Sequence, residues 1–245
     1  MKIVTLNMWC GKMPDKLLGF VRANCGNIDV FCFQEVLDNE KGVKSAVFKD
    51  GTEDIIASIK EELKGYNAFV AIPQKNERGL ATFIKNDWKV DAVEDQYVYG
   101  GKDTMVDNSW STIGINMLYT RISREETYSI WNLHGKFIRM DKQDTEETIE
   151  QSNNIKRIIG SAKGKRILCG DFNLDPKTTS MSIIESIPLR NLIKEYGIKS
   201  TRPGFFDFPQ KYADYIMPSK DIKVNDFKVM DDVVSDHLPL YFDCT

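Results

Sequence analysis

Histidine is scarce in this chain of 245 residues, which has only two, His134 and His237. A zinc site of three histidines is therefore excluded, and no Cys/His spacing of a zinc module takes its place. The five cysteines, Cys10, Cys25, Cys32, Cys169 and Cys244, are odd in number and form no CxxC pair. Cys32 and Cys169 lie within the apolar runs Val30-Phe31-Cys32-Phe33 and Ile167-Leu168-Cys169. The set reads as reduced, buried thiols, neither a disulfide framework nor a nucleophile. A basic block is also missing: 33 basic and 36 acidic side chains leave a formal net charge of -3, which disfavours a protein that grips duplex nucleic acid through many phosphates. A bound metal ion could supply the local positive charge that the chain as a whole lacks. Long apolar runs are absent too. The segment Ile3 to Trp9 is too short for a secretory signal and is interrupted by Thr5 and Asn7, and no run reaches the roughly 20 apolar residues of a membrane span. The expected location is the cytoplasm.

What remains is the composition of a packed body, 42% hydrophobic and 28% charged. No repeat or Pro/Gly/Ser-rich linker divides it, so residues 1–245 are expected to form one domain. Runs rich in Val, Ile, Tyr, Phe and Thr predict strands over Lys2–Met8, Asp29–Phe33, Ala68–Ile72, Leu80–Lys85, Thr112–Arg121, Thr127–Leu133, Arg166–Gly170, Tyr212–Met217 and Leu238–Phe242. Helical spacing is found over Lys16–Asn24, Glu53–Leu63, Thr145–Ser161 and Thr179–Ile187. Strands outnumber helices and several follow one another directly. That order suits two packed, largely antiparallel sheets with helices outside them.

A recurrent pattern carries the chemistry: an apolar strand that ends in a residue able to bind metal or phosphate. Ile3-Val4-Thr5-Leu6 ends at Asn7, Val30-Phe31-Cys32-Phe33-Gln34 at Glu35, Ser129-Ile130-Trp131-Asn132-Leu133 at His134, and Ile167-Leu168-Cys169-Gly170 at Asp171. Rigid strands can deliver such side chains into one crevice. The donors on offer are oxygens, from Glu35, Asp171, Asp236 and the amides of Asn7 and Asn173, hard ligands that suit Mg²⁺ or Mn²⁺.

The elements Thr5-Leu6-Asn7, Gln34-Glu35-Val36, Asn132-Leu133-His134, Gly170-Asp171-Phe172-Asn173, Asp214-Tyr215-Ile216 and Ser235-Asp236-His237, in that order, resemble the endonuclease/exonuclease/phosphatase superfamily, the group that includes deoxyribonuclease I. The resemblance implies an α+β fold, a four-layer α-β-β-α sandwich of two mixed, largely antiparallel sheets with the site at their top. It implies Glu35 as the principal metal carboxylate, with Asn7 and Asp236 close to the same Mg²⁺ or Mn²⁺ ion, directly or through water. By the same resemblance Asp171 orients or deprotonates the attacking water, Asn173 and Asn7 meet the phosphate, and His134 lies beside the phosphate or leaving group. His237, oriented by Asp214, is then a general base or a cationic stabiliser. Glu77, in Asn76-Glu77-Arg78-Gly79, resembles the acidic position that pairs with the mid-chain histidine in deoxyribonuclease I. Its alternative is an exposed charge in a turn.

Substrate choice is expected in the loops Gly100–Ser111 and Lys136–Thr145, the latter with Lys136, Arg139 and Lys142. Trp9 and Trp110 could stack a base or simply pack. The resulting expectation is a monomeric, metal-dependent hydrolase of phosphate esters, a phosphodiesterase or nuclease acting on single-stranded nucleic acid or a nucleotide. The alternatives are a phosphatase or phospholipase C-type enzyme on a small phosphorylated molecule or lipid head group, and a catalytically silent binding module.

Overall fold

A computed structural model describes residues 1–37, 54–73, 78–101, 114–137 and 141–245. The amino-terminal apolar run forms β1 (Lys2–Asn7), and the next forms β2 (Val30–Val36), parallel to it with Ile3 opposite Val30 and Asn7 opposite Gln34. β3 (Tyr66–Ala71) and β4 (Gly79–Lys85) extend this sheet on one side, and β10 (Val224–Val229) and β11 (Leu240–Cys244) on the other, in the order β10-β11-β1-β2-β4-β3. The second sheet has the order β5-β6-β7-β8-β9, built from β5 (Lys89–Tyr99), β6 (Ile115–Ser123), β7 (Thr127–His134), β8 (Lys165–Asp171) and β9 (Asp214–Pro218).

Period-two alternation gives each sheet two buried faces. In β1, Ile3 joins the core between the sheets, whereas Val4 and Leu6 join a second core with Phe31 and Phe33 of β2. That second core is closed by α1 (Pro14–Asn24) and α2 (Ile55–Glu62), which contribute Leu17, Phe20 and Val21, and Ile55, Ile56 and Ile59. On the far side, α3 (Glu146–Ser161) and α4 (Thr179–Glu185) bury Ile155, Ile159, Met181 and Ile184. Each large aliphatic side chain so covered contributes about 1.5–3 kcal/mol. Thr145 and Thr148 start α3 with reciprocal caps. The result is the four-layer α-β-β-α sandwich. A buried polar bridge joins its two sheets: the Gln34 amide of β2 donates to Asn132 Oδ1 of β7 at 2.7 Å, and Asn132 donates back to the carbonyls of Phe33 and Ala81 at 3.1 and 3.0 Å.

β5 and β10 were not expected from the sequence. Both are edge strands whose acidic residues, Asp91, Glu94 and Asp95 in one and Asp226 in the other, break the apolar pattern. A short helix, α5 (Leu192–Glu195), was likewise unmarked. The last strand begins at Leu240, two residues later than expected, because the Leu238 amide donates to the Thr201 carbonyl and Pro239 has no amide hydrogen to give. Residues 112 and 113 of the expected Thr112–Arg121 strand and Glu53 of the expected second helix lie outside the described residues.

Candidate active site

Strand direction explains why residues far apart in sequence meet. β1, β2, β7 and β8 end at one rim, with Asn7, Glu35, His134 and Asp171 on or beside their last positions. β7 and β8 are parallel, so His134 stands opposite Asp171; β8 and β9 are antiparallel, so Asp171 also stands opposite Asp214. β11 runs antiparallel to β1, which brings the residues just before it, Asp236 and His237, to the same rim.

Backbone irregularities aim the side chains. Strict alternation would put Glu35 on the helix-covered face with Phe31 and Phe33, but the register shifts between Gln34 and Val36 and Glu35 adopts φ 56°. This bulge turns its carboxylate to the rim. Gly170 adopts φ 130°, and a Cβ there would lie 2.0 Å from the Leu133 carbonyl oxygen. Only glycine lets β8 close on β7 at the residue before Asp171.

Asp171 occupies the middle. Its Oδ2 accepts from the Asn7 amide at 3.0 Å, its Oδ1 accepts from the Asn173 backbone at 2.9 Å, and Nε2 of His237 and of His134 lie 3.6 and 3.9 Å from Oδ2. Burial alone would raise this carboxyl, but Lys142, the two imidazoles and Arg202 hold it well below the usual carboxylate range. To one side, His237 Nδ1 lies 2.8 and 2.9 Å from the two oxygens of Asp214, and the Thr201 hydroxyl donates to Asp214 Oδ2 at 2.7 Å. Burial opposes the imidazolium, yet Asp214 leads the groups that raise the His237 pKa above its ordinary value.

To the other side, Arg78 Nη1 lies 2.6 Å from Glu35 Oε1, with His134 Nε2 3.8 Å away and the Cys10 thiol donating to Oε2 at 3.4 Å. Burial would raise the Glu35 carboxyl; Arg78, then His134 and His237, hold it down to about 2. Burial lowers the His134 pKa despite Asp171 and Glu35, with Arg78 adding to the descent. The same burial pushes the Cys10 thiol far up, consistent with an inert cysteine.

Asn7, Glu35, His134, Asp171, Asn173, Asp214, Asp236 and His237, all expected from the sequence, are therefore gathered at one rim. Their engagements are less open than expected. Asn7 Oδ1 accepts the Trp9 amide at 2.9 Å, and Asp236 Oδ2 accepts from Arg202 at 2.9 Å. Asn173, at φ 55°, gives one amide hydrogen to the Gly135 carbonyl and accepts from Lys142 Nζ at 2.6 Å. Lys142 is thus a buried partner of the site, not an exposed loop cation, and Lys136 is buried with its Nζ 4.7 Å from the Tyr99 ring centre. Trp9 stacks on Phe205 with ring centroids 6.5 Å apart. Glu77, Arg139, Trp110 and most of Gly100–Ser111 lie outside the described residues.

The Endonuclease/Exonuclease/phosphatase family pattern matches residues 4–237. The chain belongs to this family. Its members are phosphoesterase hydrolases, generally dependent on a divalent metal. An endonuclease/exonuclease/phosphatase family protein from Leptotrichia buccalis has a similar structure, with 22% identity, a TM-score of 0.74, and coverage of 100% of this chain and 99% of that one. A mannosyl-6-phosphatase from Bacteroides thetaiotaomicron gives 17% identity, a TM-score of 0.74 and coverage of 100% and 99%. TDP2 from D. rerio, complexed with single strand DNA product, gives 12%, 0.71, and 100% and 98%. At these identities the likenesses establish the fold. No curated protein sequence matches the chain.

Asp171, Asp214 and His237 bring ligand atoms within 4.8 Å of one another, a grouping that could hold a metal ion. The sequence reading missed Arg78, Arg202 and Thr201. Arg78 stood next to the acidic Glu77 that drew attention, and Arg202 and Thr201 sit in a segment without strand or helix periodicity. No helix among the described residues is long and apolar enough to cross a membrane.

Proposed function

We propose that this family member hydrolyses phosphodiester bonds with the help of Mg²⁺ or Mn²⁺, residues 1–245 acting as one monomeric catalytic unit. The observation that carries the reading is the position of the Asp171 carboxylate, fixed by Asn7 and Asn173 and flanked by both imidazoles at 3.6 and 3.9 Å. A phosphodiester repels anionic nucleophiles, so its hydrolysis needs positive charge at the phosphoryl oxygens and an oriented acceptor for the proton of water. The rim offers both.

The donor set fits a hard cation. Glu35, Asp171 and Asp236 are carboxylates, Asn7 adds an amide oxygen, and the charges that face them are those of Arg78, Arg202 and Lys142. Glu35 is the principal holder in this reading, with Asn7 and Asp236 beside it. The grouping of Asp171 with Asp214 and His237 is less suited, because both Asp214 oxygens are already bonded to His237 and one also to Thr201. When bound, the ion would stabilise the developing negative charge on phosphorus oxygens.

The chain's own residues supply the remainder. Asp171, held so far down in pKa, is a weak base before reaction; it orients the water and takes its proton as the new P–O bond forms. His237, with its raised pKa and its Nδ1 fixed by Asp214, presents Nε2 as a positive donor to a phosphoryl oxygen. His134, held toward the neutral form, accompanies the leaving group. Asn173 retains one amide hydrogen for the phosphate. A net charge of -3 favours a nucleotide or single strand over duplex nucleic acid.

A phosphomonoesterase reading draws on a different observation. A cavity of about 70 Å³ beside His134 is lined by Arg78, Asn116, Lys136 and Phe137, and its cations could receive a terminal phosphate. Turnover of bis(p-nitrophenyl) phosphate and p-nitrophenyl phosphate, followed by short single-stranded and duplex oligonucleotides, separates the two. The diester and the single strand should be cleaved with Mg²⁺ or Mn²⁺ and spared in EDTA. Turnover confined to the monoester would replace the diesterase reading with the phosphatase one, and no turnover of any substrate with either metal would point to a binding module.

A further inference from the structure

The pairing of Glu35 with Arg78 is unlike the other contacts of the site. Glu35 is buried on a bulge at φ 56°, with the Arg78 guanidinium at 2.6 Å as its nearest cation, the weakly donating Cys10 thiol at 3.4 Å and His134 Nε2 at 3.8 Å. A buried carboxylate is costly to ionise without a counter-charge, and Arg78 is the foremost of the groups that keep this one charged. The fold puts Arg78 there on purpose of register: Gly79 pairs with Val36 across the bulge, which leaves Arg78 one residue beyond the ladder, beside Glu35. The arginine keeps 20% of its side chain exposed and also lines the cavity beside His134, next to Lys136. One long side chain thus touches both the carboxylate and the phosphate-sized space.

We infer that Arg78 and a divalent cation are alternative partners of Glu35, and that arrival of the cation turns the guanidinium toward the cavity beside His134, where it binds phosphate. The inference rests on the proposed role of Glu35 as metal carboxylate. Its physical ground is charge: a dication on the Glu35 carboxylate would sit against a guanidinium now 2.6 Å from the same oxygen, and like charges at that range repel. The carboxylate is satisfied by either cation, so exchange does not leave it bare. Released, the planar fork of arginine matches the oxygens of a phosphate. Arg78 would in this way couple metal occupancy to substrate binding, since each would favour the other.

The test measures binding without turnover. Mn²⁺ affinity is followed by calorimetry and by the loss of free-ion paramagnetic signal for the wild type, Arg78→Gln, Arg78→Lys and Glu35→Gln, and inorganic phosphate affinity is measured with and without Mn²⁺. Arg78→Gln should bind Mn²⁺ about tenfold more tightly or better, as expected when a close competing charge is removed. Its thermal midpoint should fall below wild type in EDTA and recover with Mn²⁺. Phosphate binding should weaken in Arg78→Gln only when Mn²⁺ is present. Arg78→Lys, which keeps a cation but loses the fork, serves if Arg78→Gln does not fold, with a smaller gain of the same sign. Unchanged or weaker Mn²⁺ binding by these variants, or a phosphate defect equal in EDTA and Mn²⁺, overturns the exchange. Glu35→Gln with wild-type Mn²⁺ affinity would instead overturn the metal role of Glu35, on which the exchange depends.

Discussion

Asp214 and His237, at one end of the site, are bonded at 2.8 Å and locked further by Thr201, whereas Glu35 and His134, at the other end, stand 3.8 Å apart with Arg78 on the carboxylate. The first end is a finished hydrogen-bond chain. The second is a balance of charges that a different cation could re-form. The two histidines record the difference, since Asp214 raises the pKa of His237 while burial and Arg78 lower that of His134. Under the proposed mechanism, preorganisation at the first end would orient a water beside Asp171, and exchange at the second would let substrate and ion come and go.

The largest expected effect lies between the two ends. Asp171→Asn keeps the shape but removes the charge, and turnover should fall on the order of 10⁴-fold with an unchanged circular dichroism spectrum. A folded variant near the wild-type rate would remove Asp171 from the chemistry. At the rigid end, Asp214→Asn should lower turnover about 10²-fold or more and move its pH profile to lower pH, because the imidazolium loses its carboxylate. It should leave Mn²⁺ affinity nearer wild type than Glu35→Gln does. Were the profile unmoved, the two ends would not differ as described.

Gly170→Ala acts on both ends through the backbone. The added Cβ would meet the Leu133 carbonyl at 2.0 Å in a left-handed conformation, so stability should drop by about 2 kcal/mol or more in chemical denaturation. An alanine variant as stable as wild type would mean that β8 can reach β7 another way. The smallest effect is the pH dependence of stability in EDTA, read as wild type against single His→Asn variants. The folded pKa of His237 is raised, so its contribution is fully present below about pH 6.5, the unfolded value, and is lost as pH rises through the folded one. His134 has a lowered folded pKa, so stability falls as pH drops from about 6.5 toward that value. Curves of the same sign for the two would contradict the asymmetry.

The parts of this arrangement that a sequence can reveal are those fixed by strands. Asn7, Glu35, His134 and Asp171 announce themselves as polar ends of apolar runs, and runs such as Val30–Phe33 and Ile167–Cys169 point to two packed sheets, whose four-layer order the family resemblance implies. Asp214 and His237 do not end apolar runs; their pairing is implied by the family resemblance, and the structure has them 2.8 Å apart. Arg78 and Arg202 stayed hidden because a countercharge needs only to arrive in space, and Lys142, expected as a loop cation, gave no sign of its buried partner Asn173. Each reaches its carboxylate or amide from a segment whose own sequence has no period. The edge strands β5 and β10 stayed hidden for a related reason: half their surface is in water, so acidic residues dilute the pattern.

Bis(p-nitrophenyl) phosphate turnover against Mn²⁺ concentration, in wild type, Glu35→Gln and Asp171→Asn, decides whether the protein is a cation-assisted diesterase centred on Asp171 with Glu35 as holder of the ion. The wild-type rate should climb from near zero in EDTA to saturation, the Glu35→Gln curve should be displaced to at least about tenfold higher Mn²⁺, and Asp171→Asn should give a flat line. Full wild-type turnover in EDTA, or a Glu35→Gln curve superimposed on the wild type, would contradict that reading.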